Sequence, residues 1–183
     1  MKAYVIINMK FSVQQVNDFT LEEYMDIFSN IIEHCPKFAN ILYERKPFRS
    51  TNAIILILYE YLESLENEEK RAMLTRHPDL SGKFETTLTK QSNEEQKAAQ
   101  LNTISEHERK VLLELNSRYR NQFGFPFVVC ARENNYNTII HILQKRLDFT
   151  QDEEINNGIG EVKKISTLRI LDLVEDENKA TSK

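Results

Sequence analysis

The chain has 183 residues, 40% of them hydrophobic and 28% charged, with a net charge of −4. That is enough apolar material for one globular domain with a real core. Lys and Arg are spread along the chain rather than gathered, which argues against a nucleic-acid or other polyanion partner.

Its two cysteines, Cys35 and Cys130, lie far apart. They make neither a disulfide framework nor a zinc spacing, and they suit a reducing compartment. The longest apolar run, 53–59, is far too short to span a membrane. Residues 1–8 are too short for a secretory signal, and either Met1 or Met9 serves as a natural start. The polar residues 180–183 lack the terminal leucine of the usual peroxisomal signal. Four glycines and four prolines leave room for few tight turns, so an all-α protein is expected. The expected architecture is a single compact domain of about eight or nine helices over residues 10–174, with a charged tail over 175–183.

In chain order, Thr20 and Glu23 form a capping box that opens a helix carrying Leu21, Met25, Phe28, Ile31 and Ile32. Pro36 should end it near Cys35. A short helix around Phe38, Ile41 and Leu42 follows, and Lys46-Pro47-Phe48 breaks it. Ser50 or Thr51 caps the next segment. Residues 53–62 are apolar almost all round and read as a buried central helix, with a strand over 54–58 as the competing reading. A charged stretch then becomes a short helix near Met73 and Leu74 and runs into His77-Pro78.

Ser92–Glu95 and Ser105–Glu108 read as further capping boxes. The second of these opens a long helix carrying Val111, Leu112, Leu115, Tyr119 and Phe123, which stops at Gly124 and Pro126. Residues 123–131 hold Gly and Pro yet are too apolar for an exposed loop. A buried, non-helical connection is expected there, whose backbone must find other partners, either within the protein or on a ligand. Asn137 can cap a helix carrying Ile139, Ile140, Leu143 and Leu147. Thr150–Glu153 is a fourth capping box, before a last helix with Ile155, Ile159, Val162, Ile165 and Leu173 on one face. Gly158 and Gly160 within it point to close packing against another helix.

His77 is the first candidate for chemistry. Pro78 pushes the residue before it out of helical geometry, which places an imidazole at a helix end. A plain turn is the competing reading. Arg169 falls inside the apolar face of the last helix, where a guanidinium needs an anionic partner: a protein carboxylate or a substrate anion. Ser92, Glu95 and Gln96 share a helix start. Capping accounts for the first two, and Gln96 has no capping role. His34, His107 and His141 lack any partnered spacing and read as surface or packing residues. No GxGxxG, GKT/S or HExxH pattern is present.

Taken together, several motifs occur in one order: His77-Pro78-Asp79-Leu80, Gly82-Lys83, Ser92 with Glu95-Gln96, Asn116-Ser117 with Tyr119-Arg120, Phe123-Gly124-Phe125-Pro126-Phe127, Lys164-Ile165 and Leu168-Arg169. In this order and spacing the chain resembles the 2-oxo-4-hydroxy-4-carboxy-5-ureidoimidazoline (OHCU) decarboxylases of urate degradation, over roughly residues 10–174. Glu33-His34-Cys35-Pro36 and Lys46-Pro47-Phe48 resemble the family's N-terminal pattern. Lys37, Gln100 and Asp148 stand where the family usually has tryptophan, glycine and asparagine.

The resemblance implies an all-helical, typically dimeric lyase that converts OHCU to (S)-allantoin and carbon dioxide. It implies no cofactor and no metal, since the substrate supplies its own electron sink. It assigns catalysis to His77, Glu95 and Arg169. Substrate binding falls to Pro78, Ser92 and Gln96 and to the segment Phe127, Val128, Val129, Cys130 and Ala131. The expected compartment is the cytoplasm, or the peroxisome in a eukaryote. A non-catalytic helical binding protein of the same descent is the alternative.

Overall fold

The computed structural model describes residues 10–80 and 89–175. Ser81, Gly82 and Lys83, both candidate start sites and the tail from 176 lie outside the described residues. Among those described, nine α-helices and two short 3-10 turns account for all regular structure except one isolated bridge. The all-α expectation is met. The chain divides into two compact units, residues 1–64 with 163–183, and residues 65–162.

The first unit holds α1 (Val13–Asp18), α2 (Leu21–Phe28), α3 (Pro36–Arg45), α4 (Thr51–Ser64) and the end of α9 (Gln151–Leu173). Both α1 and α2 open on reciprocal capping boxes, Ser12 with Gln15 and Thr20 with Glu23. α2 ends at Phe28, short of the expected Cys35. Asn30 Oδ1 accepts the His34 N–H at 3.1 Å, and His34 takes a left-handed φ of 48°, which turns the chain. Pro36 therefore starts α3 rather than ending α2, at a position where its missing N–H is of no consequence.

α4 is a helix, not a strand. It buries Ile54, Leu58 and Leu62 on one stripe, each burial contributing roughly 1.5–3 kcal/mol. It is not apolar-buried all round, because Leu56 is 60% exposed. Lys37 sets its ammonium 5.9 Å from the Tyr61 ring centre. The last helix is tied in by Phe11, whose N–H donates to Leu173 O (2.8 Å) and whose carbonyl accepts from Glu175 N (2.9 Å).

The second unit holds α5 (Asn67–Leu74), α6 (Lys90–Ala98), a 3-10 turn (Leu101–Thr103), α7 (Glu106–Phe123), a 3-10 turn (Ala131–Glu133), α8 (Tyr136–Arg146) and α9 through Val162. The capping boxes at Ser105 and Thr150 form as expected. Two caps fall elsewhere. α6 is capped by Thr89, whose hydroxyl accepts the Ser92 N–H at 3.2 Å, so Ser92 lies inside the helix. α8 is capped by Asn135, not Asn137. Gly124 ends α7 in the left-handed region at φ 78°. Gln100 occupies the same region at φ 58°, a conformation that glycine adopts at no steric cost.

Gly158 packs as expected: an added Cβ would lie 2.8 Å from Leu74 Cδ2. Gly160 does not, since nothing lies within 4 Å of where its Cβ would be.

Candidate active site

α5 ends at Leu74, and His77 follows after one turn, its N–H donating to Leu74 O at 3.1 Å. Pro78 blocks continuation of the helix, and His77 is left 7% exposed at this break.

The segment after it is held from two helices. Asn116 Nδ2 on α7 donates to Leu80 O at 2.7 Å, and Gln96 Nε2 on α6 donates to Asp79 O at 3.2 Å. One turn beyond Asn116, Arg120 pairs with the Asp79 carboxylate at 2.7 Å. These bonds replace the ladder that a non-helical backbone lacks.

Ser92, Glu95 and Gln96 share one face of α6, as their spacing of three and four requires. The Ser92 hydroxyl accepts from Thr89 Oγ1 at 3.0 Å. Gln96 is buried, and its Oε1 has no hydrogen-bond partner among the described residues. One amide N–H goes to Asp79 O, and the oxygen retains its capacity to accept a hydrogen bond.

Of the connection expected over residues 123–131, residues 124–130 are non-helical, between the end of α7 and the 3-10 turn that Ala131 opens, and Phe127, Val128, Val129, Cys130 and Ala131 are all buried. α6 packs against the turn that follows, Ala131–Glu133. Burial pushes the Cys130 thiol up to about 11, helped by the negative charges of Glu133, Glu161 and Glu95. It is a packed thiol, not a nucleophile.

Behind the segment lies a charged cluster that the sequence did not announce as a site. Glu154, fully buried, accepts from Arg146 Nε at 2.6 Å and from the Tyr119 hydroxyl. Arg146 NH1 donates to Val128 O at 2.8 Å, and its guanidinium lies 4.7 Å from the Phe127 ring centre. Glu161 accepts the Cys130 N–H at 2.7 Å. The signal for Arg146 was in the sequence: it continues the buried stripe of Ile139 and Leu143 with a charge.

The second unit thus gathers the His77 segment, the Ser92–Glu95–Gln96 face and the 127–131 segment around α6. Arg169 belongs to the first unit. It is buried as predicted, and its NH1 donates to Glu33 Oε2 at 2.8 Å and to Asn30 O at 2.9 Å. Of the two partners open to it from sequence, the structure supplies the protein carboxylate.

The fold and this arrangement define an all-α protein with a buried histidine at a proline-forced helix end, beside a polar helix face and a non-helical apolar segment. The OHCU decarboxylase family model matches residues 17–171, and the chain belongs to that family. It is 40% identical to the 2-oxo-4-hydroxy-4-carboxy-5-ureidoimidazoline decarboxylase of Xenopus laevis, across 91% of this chain and 96% of that one. The Mus musculus protein of the same name is 36% identical over 87% of this chain and 91% of its own.

Among solved structures, an (S)-allantoin synthase superposes with a TM-score of 0.70 at 21% identity, covering 89% of this chain and 54% of that one. An OHCU decarboxylase crystallised with (S)-allantoin gives 0.62 at 23% identity, covering 74% and 88%. These two likenesses speak for the fold.

Proposed function

We propose that this protein decarboxylates OHCU to (S)-allantoin, acting as a carboxy-lyase without cofactor or metal. The observation that carries the reading is the gathering around α6: its polar face holds the His77 segment through Gln96 and Asp79 O, and it packs against the 3-10 turn that closes the 127–131 segment. A scaffold has no need of a buried imidazole on a segment that a buried glutamine with an unpartnered amide oxygen holds.

In the reaction, the bond between the hydroxyl-bearing ring carbon and the carboxyl group breaks, and carbon dioxide leaves. The electron pair stays on the substrate, in the conjugated C=N and carbonyl system of the ring. Uptake of a proton by the nitrogen of the former C=N, loss of the hydroxyl proton and protonation of the neighbouring ring carbon on one face then give neutral allantoin. His77 is the general acid/base for these proton movements. Glu95 positions His77 or the substrate hydroxyl. Arg169, assigned from the family pattern, anchors an anionic or carbonyl group. Ser92 and Gln96 bind ring or ureido atoms, Pro78 walls the site, and backbone groups of 127–131 complete it. Fixed dipoles around the developing charge supply the largest rate effect.

The protein acts as a homodimer in the cytoplasm, or in the peroxisome of a eukaryote. Among the described residues no helix is long and apolar enough to cross a membrane.

The test is the decay of OHCU generated in place from urate, followed by absorbance. The wild-type chain accelerates it, while His77→Ala and His77→Asn lower kcat at least ~100-fold with an unchanged melting temperature. An active, folded His77→Ala protein contradicts the assignment.

A further inference from the structure

His77 lies in a short span of chain that is fastened at both ends. Upstream, its own N–H donates to Leu74 O at 3.1 Å. Downstream, two residues one turn apart on α7 reach the chain. Asn116 Nδ2 donates to Leu80 O at 2.7 Å, and Arg120 NH2 donates to Asp79 Oδ2 at 2.7 Å. Little rotation is left between the two ends. Pro78 has a fixed φ, and a residue before proline is pushed towards extended backbone. A displacement of Asp79 is therefore carried back to His77 rather than absorbed in between.

We propose that Asp79 and Arg120 are positioning residues for His77: their ion pair, with the Asn116 bond beside it, holds the imidazole where its proton transfers need it. This rests on the decarboxylase reading above, which gives neither residue a role.

Stability does not account for the arrangement. The Arg120 and Asp79 side chains are 45% and 40% exposed, and an ion pair in that setting contributes little to folding. Asp79 Oδ1 and Asn116 Oδ1 are each buried without a hydrogen-bond partner among the described residues, which costs stability. A local cost with no offsetting gain marks a contribution that is geometric. A guanidinium suits that task, because its rigid, planar set of donors meets a carboxylate from few directions.

The pair is tested in the full-length protein, with OHCU generated in place from urate. Arg120→Gln and Asp79→Asn each lower kcat ~tenfold, the effect of a displaced acid/base, and leave KM within about twofold of wild type. Arg120→Lys stays within about threefold of wild type in kcat, because one bond is made and an ammonium can also make it. The double variant, Asp79→Asn with Arg120→Gln, is no slower than the slower single one, since both act through one contact. All four variants melt within about 3 °C of wild type. Should Asp79→Asn fail to fold, Arg120→Gln and Arg120→Lys, at an exposed position, carry the same test.

Unchanged kcat in both single variants overturns the proposal. A merely structural pair gives that result with a lowered melting temperature. Losses that multiply in the double variant overturn it too, since two separate effects would then be at work. A rise in KM with kcat unchanged has the same force, because it places the pair in binding. A wild-type chain that fails to accelerate OHCU decay overturns the functional reading and this proposal together. An active wild type and an inactive His77→Ala protein, with unaltered pair variants, overturn this proposal alone.

Discussion

Cys130 sits among the residues assigned to substrate binding, yet its thiol is removed from chemistry by its surroundings. Burial and three carboxylates raise it from an ordinary value of 9.0 to about 11. Below about 9 the thiol is protonated whether the chain is folded or unfolded. Between about 9 and about 11 the unfolded chain ionises first, so stability falls as pH rises through that window. Iodoacetamide at pH 8, with peptide mapping to separate Cys130 from Cys35, should label native Cys130 at least ~100-fold more slowly than the urea-unfolded chain. Equal rates would mean that the segment is open.

The residues proposed for the chemistry stood out in the sequence because a proline or an apolar stripe marked them, His77 before Pro78 and Arg169 within its face, and both are buried. The partners of the residues that hold the segments did not stand out. Asn116 reads as a single polar position on an amphipathic helix, and Arg146 as a charge on the buried stripe of Ile139 and Leu143. Only the fold shows that they meet the carbonyls of Leu80 and Val128.

At the scale of elements, the two glycines of α9 have opposite meanings. Gly158 faces the buried Leu74 of α5, and a Cβ there would lie 2.8 and 2.9 Å from its methyl carbons. Gly160 faces open space. Gly158→Ala should destabilise the protein by about 1–3 kcal/mol, through displacement of a packed leucine. Gly160→Ala should stabilise it by about 0.5–1 kcal/mol, through the helix interior's preference for alanine. Urea unfolding of both variants decides this, and a loss of stability in Gly160→Ala would show a contact at that position. From sequence the two positions look alike, because helical phase alone does not say which face meets a neighbour. Helix starts were more legible. Four-residue boxes at Thr20, Ser105 and Thr150 form as written. The exceptions, Thr89 and Asn135, arise where a second capping side chain stands a few residues upstream and wins.

At the scale of the whole molecule, the family match runs across both compact units, from residue 17 to residue 171. The all-α class was readable from the scarcity of glycine and proline and from helical spacing. The two-unit division was not, because α9 runs through residues of both without a break in its pattern. Nor could sequence choose a partner for Arg169, since a carboxylate from 136 residues away and a substrate anion satisfy a guanidinium equally.

The central claim is that this chain turns a substrate over with control of the face that is protonated. Its most direct test is the handedness of the allantoin formed when OHCU is generated in place and the protein added, followed by circular dichroism. A single-handed (S)-allantoin signal, appearing faster than spontaneous decay, is the predicted result. Racemic allantoin formed at the spontaneous rate would contradict it.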